Sequence, residues 1–60
     1  MSRHKVFKLV ERGDKAYKDG KYEEAMQHYL SAIEAATRSN VESDFIYSSL
    51  AKVYKKTGDF

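Results

Sequence analysis

The chain has no cysteine and no proline, and its only glycines are Gly13, Gly20 and Gly58. Without cysteine, no disulfide can staple the fold and no thiolate can hold a metal. That suits a reducing compartment. Without proline, and with so little glycine, few residues interrupt a helix, and an almost wholly helical chain is the first expectation. Histidine is scarce as well. His4 and His28 stand alone, with no carboxylate or histidine at a metal-motif spacing, and read as surface or half-buried residues. No apolar run approaches the ~20 residues of a membrane span. The opening residues are basic, but Val6-Phe7-Lys8-Leu9-Val10 is too short and too charged for a signal peptide. A dominant charge is missing too: the net charge is +2 with both signs interspersed, well short of the strong basic patch of a nucleic-acid binder. The expectation is a cytoplasmic protein that engages neither membrane nor nucleic acid.

What is present is helical patterning. The 60 residues allow one small domain, which should bury only about 60% of the surface its unfolded form exposes. Val6, Leu9/Val10, Gly13 and Ala16/Tyr17 recur at three- and four-residue steps and predict a helix from Arg3 to Lys18. Lys5, Lys8, Arg12 and Lys15 form a basic row beside that stripe and read as a solvated face. Gly13 inside this helix costs about 1 kcal/mol against alanine, which points to a packing reason. Asp19-Gly20 stops the helix, because glycine takes the left-handed conformation freely.

A second helix is predicted from Tyr22 to Arg38, with Tyr22, Ala25/Met26, Tyr29, Ala32/Ile33 and Ala36 as its buried stripe. Glu23 and Glu24 in its first turn and Arg38 in its last suit the helix dipole. With so short a link, the two helices must lie antiparallel. Ser39, with Glu42 three residues on, is expected to form a capping box for a third helix running to Thr57. Its main stripe is expected at Ile46/Tyr47, Leu50/Ala51 and Tyr54, with Phe45 and Val53 off it. Tyr22, Tyr29, Tyr47 and Tyr54 read as packing residues with their hydroxyls at the rim of the core.

No catalytic constellation stands out. Glu23 and Glu24 are adjacent and so point to different parts of a helix surface. Ser31, Ser48 and Ser49 have no histidine at a recognisable spacing, and there is no glycine-rich phosphate loop. The reading is a protein that is not an enzyme and carries no cofactor.

Shifting the sequence by 38 residues brings Phe7 onto Phe45, Lys18 onto Lys56 and Gly20 onto Gly58. The same shift matches Leu9 with Tyr47, Gly13 with Ala51 and Tyr22 with Phe60. Tyr47-x2-Leu50-Ala51-x2-Tyr54, Ala25-x3-Tyr29 and Gly20-Lys21-Tyr22 then resemble the tetratricopeptide repeat family, whose pattern is W-x2-L-G-x2-Y, A-x3-F and a terminal proline over 34 residues. Leu9-x2-Arg12-Gly13-x2-Ala16 is a looser version of the first half, and Thr37 stands where the family has proline. The longer spacing is similar to that of the cell-polarity and receptor-clustering branch. The resemblance covers about residues 6–60 and implies one domain: a first repeat over about 6–39 and a truncated second repeat over about 44–60. It implies an all-α antiparallel hairpin plus a third helix, a fragment of a right-handed superhelix.

In that family the first helix of each repeat lines a groove that holds a peptide or partner helix. Carried onto this chain, the groove residues are Phe7, Val10, Asp14, Tyr17 and Lys18 from helix one. Helix three supplies Phe45, Ser48, Ser49, Lys52, Lys55 and Lys56. The lysines either favour an acidic segment or keep the helix soluble; the residues leave both open. A carboxylate clamp like that of chaperone-binding members is not expected, because Asp14 occupies one of its places and would repel a carboxylate. A second repeat without its second helix would leave Leu50, Val53, Tyr54 and Phe60 as an uncovered apolar surface. Self-association, including by helix exchange, origin as a piece of a longer array, and a natural minimal protein are the three readings the sequence leaves open. Another adaptor class, similar to the microtubule-interacting and transport domain, shares the Tyr22-Glu23-Glu24-Ala25 and Ala32-Ile33 pattern. It would form a closed bundle that binds one short helix. Gly58-Asp59-Phe60, which repeats the form of Gly20-Lys21-Tyr22, speaks for the repeat instead.

Overall fold

The computed structural model describes residues 3–58, and its helices are α1 (Arg3–Lys18), α2 (Tyr22–Arg38) and α3 (Asp44–Thr57). No strand occurs among the described residues, so the protein is all-α. Each helix ends the same way, on a residue in the left-handed region: Gly20 at φ 79°, Asn40 at φ 60° and Gly58 at φ 76°. After α1 the Gly20 N–H donates to the Tyr17 carbonyl at 3.1 Å and the Lys21 N–H to the Ala16 carbonyl at 2.8 Å. After α2 the Asn40 and Val41 N–H groups repeat that pattern onto the Thr37 and Ala36 carbonyls, at 3.4 and 2.9 Å. Both are Schellman closures, which satisfy carbonyls that the last turn leaves free.

The second closure corrects one expectation. Ser39 and Glu42 form no capping box. The Ser39 N–H donates to the Ala35 carbonyl, so this residue closes α2 and is not free to open α3. Ser43 stands at the start of α3 instead, with no side-chain cap; its carbonyl accepts from the Ile46 and Tyr47 N–H groups. Asn40, which tolerates positive φ better than most residues, is the stop that the sequence reading passed over.

α1 and α2 run antiparallel. Tyr17 meets Tyr22 beside the turn, with ring centroids 5.5 Å apart, and Gly13 meets Tyr29 farther from it. The core joins Val6, Val10 and Ala16 of α1, Ala25, Tyr29, Ala32 and Ala36 of α2, and Ile46, Leu50 and Val53 of α3. The alanines of α2 let both neighbouring helices approach it closely, and α2 is the element on which α1 and α3 pack. The Cα envelope measures 32 × 20 × 13 Å. Its two short axes are unequal, as expected when three helices form an open slab and not a closed triangular bundle.

The expected stripe on α3 also needs correction. Val53, placed off it, is fully buried, whereas Tyr47 is 55% exposed and Ala51 is exposed. α3 carries two overlapping rows at i, i+4, i+7: Ile46/Leu50/Val53 and Tyr47/Ala51/Tyr54. Only the first turns onto α2. Leu50 and Val53 therefore lie in the core and offer no uncovered surface, Tyr54 is half-buried, and Phe60 lies outside the described residues.

Candidate interaction groove

α1 and α3 point the same way along the face that α2 does not cover. Near their N-terminal ends Phe7 and Phe45 meet across this face, centroids 6.0 Å apart and planes tilted by 39°. The two rings remain 49% and 42% exposed, so the pair offers apolar area to solvent. Two turns farther along, Asp14 and Tyr17 of α1 and Ser49 and Lys52 of α3 surround the tip of Tyr29, around a pocket of about 60 Å³. A pocket of that size is far below the ~300–1,000 Å³ of a small-molecule site. It has room for a single side chain or a bridging water.

Tyr29 also lines this pocket, although the sequence places it only in the packing stripe of α2. Its ring is buried in α2's packing stripe, yet its hydroxyl crosses α1 and donates to Asp14 Oδ1. The missing side chain at Gly13 opens that path. A Cβ built there would stand 2.7 Å from the Tyr29 ring. The packing reason expected for Gly13 is thus a tyrosine laid across the helix, and a glycine inside α1 was the available signal. Burial, and then the Asp14 hydrogen bond and negative charge, hold the Tyr29 phenol well above its ordinary value near 10; Ser49 pulls the other way. The hydroxyl therefore stays protonated at neutral pH and serves as a fixed donor to Asp14. Ser49 itself donates back to the Phe45 carbonyl at 3.2 Å.

Of the groove residues expected from the sequence, the structure gathers Asp14, Tyr17, Ser49 and Lys52 at the pocket and Phe7 with Phe45 at the aromatic pair. Val10 departs from expectation: at 9% exposure it belongs to the core, because α2 covers its flank of α1. Lys18, Ser48, Lys55 and Lys56 are exposed and line neither feature. A wider depression of about 310 Å³ lies at the hairpin turn, where Arg12, Lys15 and Lys21 are interleaved with Asp19 and Glu24.

Among the described residues no three His, Cys, Asp or Glu side chains gather as a metal site would require. No described helix is long and apolar enough to cross a membrane. Compared with protein-family models, with curated proteins and with solved structures, the chain matches none.

Proposed function

We propose that the chain is a non-catalytic interaction module that holds a peptide or partner helix along the α1–α3 face, in the manner of a tetratricopeptide groove. The observation that carries this reading is the Phe7–Phe45 pair. Two phenylalanines touch each other, remain nearly half exposed, and stand in line with a polar pocket on the same face. Exposed aromatic surface next to fixed polar groups is what a binding hot spot requires: apolar area for affinity and directional groups for register. Phe7 and Phe45 would supply the first, and Asp14, Tyr29, Ser49 and Lys52 the second. Lys52 at the pocket, with Lys18 and Lys56 exposed farther along the same two helices, would bias the partner toward acidic segments. The absence of cysteine suits the reducing cytoplasm, where we place the protein.

The closed three-helix adaptor is the second reading. The left-handed Gly58, which ends α3, and the unequal short axes of the slab both favour the repeat-like alternative.

The test is a titration of short acidic peptides carrying one aromatic or leucine anchor, followed by amide shifts. Phe7→Ala with Phe45→Ala should weaken binding by about tenfold or more, the loss expected when a buried aromatic anchor is truncated. Lys52→Glu with Lys56→Glu should weaken acidic peptides selectively. Shifts confined to residues away from α1 and α3, or unchanged affinity in both variants, would overturn the reading.

A further inference from the structure

The 38-residue shift that brings Gly20 onto Gly58 also relates the surfaces of α1 and α3. It matches Leu9, Gly13 and Ala16 with Tyr47, Ala51 and Tyr54. On α1 that row lies under α2, with Gly13 and Ala16 buried and Leu9 half-buried. On α3 the matching row is open: Tyr47 is 55% exposed, Ala51 is exposed, and Tyr54 is only half-buried. The same shift matches Ile46, Leu50 and Val53, which face α2, with Lys8, Arg12 and Lys15. The two outer faces of the slab therefore differ in kind. The α1 side is basic where α3 is apolar, and the α3 side presents an apolar face on which no described helix packs.

We propose that a second copy of this chain covers the α3 face, pairing α3 with α3 antiparallel about a two-fold axis beside Ala51. Two features of the face select this occupant. First, the row is nearly symmetric about its small residue. Tyr47 lies about 6 Å before Ala51 along the helix and Tyr54 about 4.5 Å after it, at 1.5 Å per residue. In an antiparallel pair each Tyr47 meets the other chain's Tyr54, and the alanines allow close approach where the helices cross. Second, Asp44 and Lys55 are both exposed and share the flank of α3 that faces away from the core, at opposite ends of the row. A two-fold axis of this kind keeps that flank on one side of the pair, so each Asp44 comes beside the other chain's Lys55. The assembly closes at two chains. Head-to-tail growth would press an α3 face onto an α1 face, and Lys8, Arg12 and Lys15 make that contact unfavourable.

The test is light scattering after size exclusion, across a wide range of loading concentrations. Wild type should pass from monomer to dimer and no further. Ala51→Arg should remain monomeric while its helical circular dichroism is unchanged. Asp44→Lys and Lys55→Asp should each weaken dimerisation, by about three- to tenfold for two exposed pairs. An equimolar mixture of these two variants should recover wild-type dimerisation, because each reversed charge then faces a reversed charge on the other chain. That recovery is insensitive to any effect of either change on helix stability, since both changes are present throughout. A wild type that stays monomeric overturns the proposal and leaves the α3 face to a helix of another sequence. A dimer that Ala51→Arg leaves intact, or a mixture that recovers nothing, overturns it as well.

Discussion

The Tyr29 ring occupies the space that a side chain at position 13 would need, with its nearest carbon 2.7 Å from an ideal Cβ on Gly13. Helix propensity alone favours Gly13→Ala by about 1 kcal/mol. The contact reverses the sign. Three ring atoms lie within 2.9 Å of that Cβ, and the ring is packed in the core, so it must shift at an overpacking cost of about 1–3 kcal/mol. Gly13→Ala should therefore lower stability in urea titrations. In a Tyr29→Leu background, with the ring gone, the same substitution should be neutral or stabilising. A double-mutant cycle that closes additively would show that Gly13 and Tyr29 do not interact.

Burial of the Tyr29 phenol, together with its hydrogen bond to Asp14, makes stability sensitive to alkali. The folded-state pKa is raised, chiefly by burial and then by Asp14. The unfolded chain thus loses the phenolic proton at lower pH than the folded one. Its contribution is fully present below the ordinary tyrosine value near 10, and declines as pH climbs from there toward the folded value. While the folded form keeps its proton, the loss approaches about 1.4 kcal/mol per pH unit. Urea midpoints of wild type should fall more steeply above pH 10 than those of Tyr29→Phe. Parallel alkaline limbs would exclude this account.

Much of the fold was legible in the residues. The bounds of α1 and α2 follow from apolar periodicity and the Gly20 stop, and the packing role of Gly13 from its place inside a helix. What periodicity could not decide was the rotation of α3. Ile46/Leu50/Val53 and Tyr47/Ala51/Tyr54 have the same spacing, and only the position of α2 selects between them. The α2–α3 link is ambiguous in sequence, because Ser39 suits either end of a helix and the decisive backbone property, positive φ at Asn40, leaves only a weak trace there. At the candidate site, the pairing of Phe7 with Phe45 and the grouping of Asp14, Tyr17, Ser49 and Lys52 match residues selected by resemblance. Tyr29 is legible in the sequence only as a core residue, because periodicity places its backbone in the packing stripe and gives no sign that its hydroxyl reaches past α1 to the pocket.

Helix ends give a third expectation. Gly20 has a positive φ of 79° and nothing within 4 Å of a Cβ placed on it. Any destabilisation by Gly20→Ala is then conformational, about 1–2 kcal/mol for forcing an L-residue into the left-handed region. Asn40 occupies the equivalent position after α2, so Asn40→Gly should stabilise and Asn40→Ala should destabilise. Thermal melts of the three variants would check the order; a more stable Asn40→Ala would contradict the assigned closure.

Stability and binding should separate at the aromatic pair. Phe7 and Phe45 are each nearly half exposed, and neither belongs to the buried core. Their mutual contact contributes about 0.5–1.5 kcal/mol beyond area burial. Loss of that contact on truncating either to alanine should therefore lower the melting temperature by about 2–12 °C, given a shift of about 4–8 °C per kcal/mol for a domain of this size. Val53→Ala, by contrast, opens a cavity beneath a fully buried side chain and should melt the domain well below either variant. If Phe7 serves the groove, Phe7→Ala keeps the fold and loses the peptide. If it serves only the fold, stability and affinity decline together. Melting curves and peptide titrations on the same three variants distinguish the two, because a residue kept exposed for a partner leaves a larger mark on affinity than on stability.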